Sequence, residues 1–223
     1  MAKAKVKKHS TFIDMTAMSD VTVLLLTFFM LTSTFVNKEP IQVTTPSSIS
    51  ETKVPDTNML TILVDPSGKI FISMTNQDQL LATLKKVGED YGITFTEKQL
   101  ANFARLKSFG VPIRSMPNFL DLSVEKQDEV MAIINKPDAT QEDLKAIGIP
   151  NEDKKGADGV IAETSEFKRW IRYATEDNKE LQLAIKSDKN VEYPVVKKVI
   201  EDLRDLRKNR YLLLTSLKTA SAN

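Results

Sequence analysis

A carboxyl group lies within a long apolar stretch near the start of the chain, a setting that is costly for a charged side chain. Asp20 directly precedes residues 21–36, VTVLLLTFFMLTSTFV, which carry no charge. An ionised carboxyl group in hydrocarbon is costly, so the functional interpretation is that Asp20 faces a protein-lined or water-filled path. Alternatively, Asp20 lies at the level of the lipid headgroups and the threonines bond to backbone carbonyls of their own helix. The residues alone leave both interpretations open.

Hydroxyl groups follow Asp20 along one face of a predicted helix. Thr27 and Thr34 lie at seven-residue intervals after it, a spacing that drifts only about 20° per step on an α-helix. Thr16 lies one turn before it. These threonines either line a polar path or pack helix against helix, and packing is the favoured interpretation. Asp14 is expected near the headgroups, as an interfacial contact or a helix-start residue.

The apolar stretch is long enough to cross a membrane once it is extended towards the amino terminus. Residues 21–36 would form a helix of roughly 24 Å, slightly short of a ~30 Å hydrocarbon core. Four lysines precede the stretch: Lys3, Lys5, Lys7 and Lys8. The positive-inside rule therefore predicts one transmembrane helix with a cytoplasmic amino terminus. A signal peptide, which would need a small-residue cleavage site, and a buried helix of a soluble domain are the disfavoured alternatives.

Composition argues against several classes of function. The formal net charge is +1, with 31 Lys and Arg against 30 Asp and Glu, and this balance predicts no nucleic-acid partner. The chain has no cysteine and a single histidine, His9, which excludes disulfides, thiol nucleophiles and thiolate metal sites. The sequence also has no nucleotide-binding loop and no Ser–His pair. We therefore predict no enzyme activity, no metal and no cofactor.

The rest of the chain predicts a small α+β sheet domain that carries a mainly helical insertion. Two apolar runs flank Asp-Pro-Ser-Gly at 65–68 and predict a hairpin, which a helix follows. A strand, a helix and a strand over 181–214 are expected to join the same sheet. The predicted divisions are a basic cytoplasmic tail (1–11), a transmembrane helix (12–36), a polar linker (37–58), the sheet domain (59–92 and 164–223) and the insertion (93–163).

Helical spacing predicts which side chains of the carboxy-terminal half are buried. The expected core cluster is Phe167, Trp170, Ile171 and Ala174. The basic residues among them are expected to face solvent: Lys168, Arg169 and Arg172. In the final helix the charged residues, Asp202 among them, are likewise predicted outside. Leu212–Leu214 are predicted to form a buried strand.

Two separated stretches resemble one known family. IDMTAMSDVTVLLLTFFMLTS, at 13–33, is similar to the amino-terminal signature of the ExbD/TolR family. The residues in step with that signature are Ile13, Asp14, Thr16, Met18, Asp20, Val21, Leu25, Leu26, Phe28, Phe29 and Met30. In the second stretch, 181–217, the residues that match the family pattern are Asp188, Val191, Tyr193 and Val196. The predicted insertion has no counterpart in the short members.

The resemblance implies a role, partners and a location. ExbD/TolR proteins are single-span subunits of proton-driven motors, so Asp20 is implied as the proton-translocating residue. The implied partners are a ring of an ExbB/TolQ-like multi-span protein, a second copy of the chain, and a TonB/TolA-like energy-transducing protein. The implied location is the bacterial inner membrane, with the sheet domain in the periplasm. The expected function is to energise TonB-type transport across the outer membrane; the alternative is a membrane-anchored adaptor of the cell envelope.

Overall fold

The chain divides into an apolar amino-terminal helix and a mixed-sheet domain. The computed structural model describes residues 15–33, 43–48, 58–133, 147–155, 161–214 and 216–217. The first unit, Met1–Lys38, contains helix α1 over Met15–Thr32, and the second comprises Glu39–Asn223. The second unit combines a five-stranded sheet with helices. The predicted α+β class is therefore confirmed.

The central sheet joins strands from both ends of the domain. The further helices are α2 (Gln77–Asp90), α3 (Glu97–Arg105), α4 (Met116–Asp121), α5 (Val124–Ala132), α6 (Glu166–Asp177) and α7 (Tyr193–Asp205). The strands are β1 (Ser47–Ser48), β2 (Met59–Val64), β3 (Ile70–Met74), β4 (Ser108–Phe109), β5 (Lys154–Lys155), β6 (Ile161–Glu163), β7 (Gln182–Ser187), β8 (Tyr211–Leu213) and β9 (Ser216–Leu217). The five-stranded order is β4-β3-β2-β7-β8, in which β2 runs antiparallel to β3 and parallel to β7.

The predicted hairpin is confirmed, and Asp65 organises its turn. The Asp65 carboxylate accepts the Lys69 backbone N–H at 2.7 Å and the Ser67 hydroxyl at 2.8 Å. Gly68, at φ +77°, supplies the left-handed conformation and donates its N–H to the Asp65 carbonyl at 2.9 Å. These bonds join β2 to β3 with the register that places Leu60 opposite Met74.

The predicted core cluster is confirmed, and the segment 93–163 contributes to the same core. Trp170 packs against Phe109 with ring centroids 4.8 Å apart, and Phe109 packs against Phe103 at 4.9 Å. All three side chains are buried. Gly110 lies so close to the sheet that an added Cβ would lie 2.0 Å from Phe71 Cδ1. This segment is therefore packed into the domain by its aromatic side chains.

One helix predicted in this segment is shorter than expected. The helix expected to continue to Gly110 ends at Arg105, because Ser108 and Phe109 pair with β3 as strand β4. A second helix, predicted over residues 139–150, falls largely outside the described residues. The described part of 93–163 contains three helices, α3 to α5, and strands as well.

The prediction that Lys168 faces solvent is wrong. Its ammonium lies 2.8 Å from Asp153 Oδ2, 3.1 Å from Asp202 Oδ1 and 2.9 Å from Asp205 Oδ2, and its side chain is 5% exposed. Asp202, also predicted outside, is buried. The two errors have one cause: α6 and α7 pack side by side, so each covers the charge of the other. We call these four residues the Lys168 cluster.

The prediction that Leu212–Leu214 form a buried strand is also wrong. Strand β8 covers Tyr211–Leu213 and lies at the edge of the central sheet. Leu213 is 54% exposed, and Leu212 and Leu214 are half-buried. A run of leucines predicts burial on both faces, whereas an edge strand receives neighbours on one side only.

Glu166 is a buried carboxyl group that joins α6 to the segment before α4. Its Oε1 accepts the Ile113 backbone N–H at 2.9 Å and the Trp170 indole N–H at 3.2 Å. Burial raises the pKa of Glu166 to about 7, although these two donors and the nearby Arg169 charge act in the opposite direction. The side chain is 7% exposed, so the group titrates inside the folded domain.

Glu166 is expected to make the domain less stable as pH rises. The pKa of Glu166 is about 7 in the folded domain, above its ordinary value of 4.5. The stability that the protonated carboxyl group contributes is therefore fully present below about pH 4.5 and is lost as pH rises through 7. The difference corresponds to roughly 3 kcal/mol. Glu166→Gln keeps an acceptor but cannot ionise, so we expect it to be more stable than the parent at pH 8 and nearly equal at pH 4.5. Urea unfolding at both pH values measures this, and equal pH profiles would contradict it.

Candidate functional site

Helix α1 is mainly apolar and has no buried residue. Phe28 is 59% exposed and Leu31 is 87% exposed. The helix has 18 residues with a mean hydropathy of 1.6, and at 1.5 Å per residue its length is roughly 27 Å. Among the described residues it is the one helix long and apolar enough to cross a membrane. A helix of this kind needs lipid or protein around it.

Asp20 is the only ionisable residue within α1. On a helix of 100° per residue, Thr16 and Thr27 both lie within about 40° of it, so the structure places these three predicted site residues on one stripe. The other two predicted site residues, Asp14 and Thr34, lie outside the described residues. The stripe thus combines one carboxyl group with two hydroxyl groups on a helix that is otherwise mainly apolar.

Three threonine hydroxyls of α1 bond to the backbone of their own helix. Thr27 donates to the Val23 carbonyl at 3.0 Å and the Leu24 carbonyl at 2.9 Å. Thr22, off the stripe, does the same to Met18 at 2.6 Å, and Thr32 bonds to Phe28 at 2.7 Å. Because Thr27 on the stripe behaves like Thr22 and Thr32 off it, these bonds satisfy hydroxyls in an apolar helix. The distinctive group of the stripe is therefore the carboxyl group of Asp20.

A second feature lies at the carboxyl ends of β7 and β8, where part of the predicted linker is bound. The buried Asp188 accepts the Thr44 N–H on Oδ2 at 2.7 Å and the Asn190 N–H on Oδ1 at 2.9 Å. Lys189 N–H donates to the Thr44 carbonyl at 2.9 Å. Just beyond, β1 pairs parallel with β9. We call the contacts of residues 43–48 with Asp188, Lys189 and β9 the linker clasp.

The comparison with known families decides the identity of the amino-terminal half. Residues 6–108 match the model of the biopolymer transport protein ExbD/TolR family. This match, over just under half of the chain, supports an ExbD/TolR family protein. The matched region includes α1 with Asp20, strands β1 to β3 and helices α2 and α3, and it ends at the first residue of β4. No curated protein and no solved structure matches the chain.

The match to the ExbD/TolR family, together with α1, fits a single-pass protein of the inner membrane. The family suggests a subunit that energises biopolymer transport. The similarity over 181–217 lies beyond the matched region and rests on the sequence pattern. There β7 pairs with β2, a strand of the matched region, with Leu60 beside Leu183. The carboxy-terminal part therefore completes a sheet that the ExbD/TolR region begins.

The sequence indicates Asp188 through its resemblance to the family pattern, but it does not predict the contact of Asp188 with Thr44. The two residues are 144 positions apart, and the polar composition of 37–58 predicts only an extended linker. The signal that could have indicated a bound strand, alternation of apolar and polar residues, does not occur in a two-residue strand such as β1.

Removing the Asp188 carboxylate is expected to release the linker clasp. Asp188→Ala leaves the Thr44 and Asn190 N–H groups without this acceptor, a loss of roughly 1–3 kcal/mol in local stability. Hydrogen–deuterium exchange of residues 43–48 should become at least about fivefold faster, while exchange in β2 stays nearly unchanged. Asp128→Ala, a change at an exposed position of α5, is the control. Unchanged exchange at residues 43–48 would contradict the assignment.

Proposed function

We propose that this protein is the proton-translocating subunit of an inner-membrane motor that energises TonB-type transport across the outer membrane. The observation that carries the proposal is Asp20: it is the only ionisable residue of α1, and it lies in the region that matches the ExbD/TolR family. In this arrangement residues 1–11 are cytoplasmic, α1 belongs to the span over 12–36, and the sheet domain with its insertion over 93–163 is periplasmic.

The chemistry of the proposed step is the gain and loss of one proton by Asp20. The neutral acid is tolerated beside apolar partner side chains, whereas the carboxylate requires water or a hydroxyl group. Moving one charge across the membrane potential releases roughly 2.3 kcal/mol per 100 mV. Alternate loading and release would therefore favour two different positions of α1 against its surroundings.

The other predicted site residues have supporting roles in this proposal. Thr27 has its hydroxyl bonded within the helix, which suits close packing against another helix. Thr16 and Thr34 are assigned to the same stripe, and Asp14 to the cytoplasmic interface.

The proposed partners are those of the ExbD/TolR family, and the chemistry of the stripe is consistent with a protein partner for α1. Lipid alone would leave the Asp20 carboxylate unsolvated, so we infer that α1 lies against protein, supplied by an ExbB/TolQ-like multi-span ring and a second copy of this chain. The periplasmic domain would pass work to a TonB/TolA-like protein. ExbD/TolR proteins are not known as enzymes, which agrees with the prediction of no enzyme activity.

The experiment that tests the proposal compares energised transport with partner binding in chains that carry Asp20→Asn. A motor subunit loses transport and keeps its partners, whereas a membrane-anchored adaptor, the alternative, keeps both. Deleting 93–163 cannot separate these functions, because Phe103, Phe109 and β4 lie in the domain core.

A further inference from the structure

One face of the central sheet carries a groove of about 480 Å³. The register places Thr61, Ser73 and Ser108 at one level on β2, β3 and β4. Phe109, the next residue along β4, points to the opposite face and packs against Trp170 of α6. Helix α7 lies beside α6 through the Lys168 cluster. Helices α6 and α7 therefore occupy the other face, and the groove opens on the face away from them.

The groove is positively charged. Three of its lining residues are cationic: Arg105, Lys107 and Lys186. None of the described residues that line it is acidic. Hydroxyl groups of Thr61, Ser73 and Ser108 lie between the cations, with leucine side chains beside them. This combination of charge, hydroxyl groups and apolar surface fits a ligand that carries carboxylates on a partly apolar backbone.

The positions of the cations set the length of such a ligand. Arg105, the last residue of α3, and Lys107 lie within three residues before β4, whereas Lys186 lies on β7, three strands away in the order β4-β3-β2-β7. At about 4.8 Å per strand, the backbones of the two groups are separated by roughly 14 Å. One inorganic anion is too small to span that width. An extended peptide, which advances about 3.4 Å per residue, covers it in four residues.

We propose that this groove binds an extended acidic peptide of a partner protein, with two carboxylate side chains about four residues apart. One carboxylate pairs with Arg105 and Lys107, and the other pairs with Lys186. The peptide lies across the strands, so its backbone groups bond to the hydroxyl groups of the groove and not to the edge of the sheet. The proposal rests on the sheet and its charges and is independent of Asp20.

The test measures binding of labelled peptides to the full chain in nanodiscs of zwitterionic lipid. Fluorescence anisotropy would compare three peptides of equal length: one with two Glu four residues apart, one with two adjacent Glu, and one with Gln in place of both. We expect the spaced Glu peptide to bind at least about tenfold more tightly than the other two at low salt.

Variants locate the binding. Arg105→Gln combined with Lys107→Gln should weaken the spaced peptide at least about tenfold, and Lys186→Gln should weaken it several-fold. The matched control neutralises two exposed or half-exposed cations of another surface, Lys179→Gln with Lys208→Gln, and should change binding less than about twofold. Circular dichroism checks that each variant is folded.

Several results would overturn the proposal. Equal binding of the Glu and Gln peptides removes the role of charge, and equal binding of adjacent and spaced Glu removes the predicted span. Equal losses in the groove and control variants show that net charge alone attracts the peptide. Binding of anionic vesicles through Arg105 and Lys107, without binding of any peptide, would make the groove a lipid-headgroup site.

Discussion

Asp20→Asn is expected to reduce energised transport to the level of cells that lack the protein. Asparagine has nearly the same shape as aspartate but cannot take up or release a proton, so the membrane potential can no longer act on α1 through this side chain. The substitution leaves the apolar surface of α1 intact. The complex with its multi-span partner should therefore still be recovered by co-purification in about the parental amount.

Two controls make this result specific. Asp20→Glu keeps an ionisable carboxyl group and should retain part of the activity. Thr22→Val lies on the same helix, off the stripe, and removes a hydroxyl bonded only to the helix backbone, so near-parental transport is expected. Proton uptake into liposomes that contain the purified complex should follow the same order. Full transport by Asp20→Asn would refute the motor proposal and favour the adaptor.

Lys168→Met is expected to destabilise the sheet domain by about 3–5 kcal/mol, because removing one partner of a buried ion pair leaves buried charge uncompensated. The Lys168 side chain is 5% exposed and that of Asp202 is 4% exposed. Trp170 is the only tryptophan of the chain and is buried on the same helix as Lys168, so its fluorescence follows the unfolding of the domain in urea.

Lys197→Met is the matched control. Lys197 forms an exposed pair with Glu201 at 3.7 Å, and exposed pairs of this kind contribute about 0–1 kcal/mol. The two substitutions remove the same charge from the same domain, so their difference isolates the buried setting. Equal urea midpoints for both variants would show that the Lys168 cluster does not hold α6 and α7 together.

The Lys168 cluster also has a predictable pH dependence. Burial acts to raise the pKa of Asp153, but the Lys168 ammonium and the Ser165 N–H outweigh it and hold that pKa below the ordinary value of 3.8. A lowered carboxyl pKa contributes stability that is present above about pH 4 and lost as pH falls through the folded pKa. The parent should therefore lose more stability than Lys168→Met in the acid limb of a urea–pH series.

Sequence patterns predicted the elements that have clear periodicity. The hairpin, α2, β7 and α7 were predicted because their apolar residues alternate or recur at helical spacing. Lys168 was misplaced because helical spacing shows that a residue lies off the main apolar face but does not show which charged helix packs there. Strand β4 was missed because a two-residue strand has no measurable period.

The features of the candidate site also differ in whether a local sequence pattern indicates them. Asp20 remains a predicted site residue, and the sequence alone indicates it because an ionisable group inside an apolar run is a local signal. The linker clasp depends on a bond between residues 144 positions apart, and the groove depends on the order of five strands. Neither arrangement has a local pattern, since each is created by the packing of distant segments.

The linker clasp has a mechanical consequence. Tension that enters the chain from its amino-terminal side reaches the two bonds at Thr44 first, then the short β1–β9 pair, and only then β2, which is held between β3 and β7. Rupture of the clasp frees the contour between Thr44 and β2, roughly 50 Å when fully extended. The linker clasp is therefore expected to break at a lower force than the central sheet. A pulling force would first extend the linker and only then act on β2.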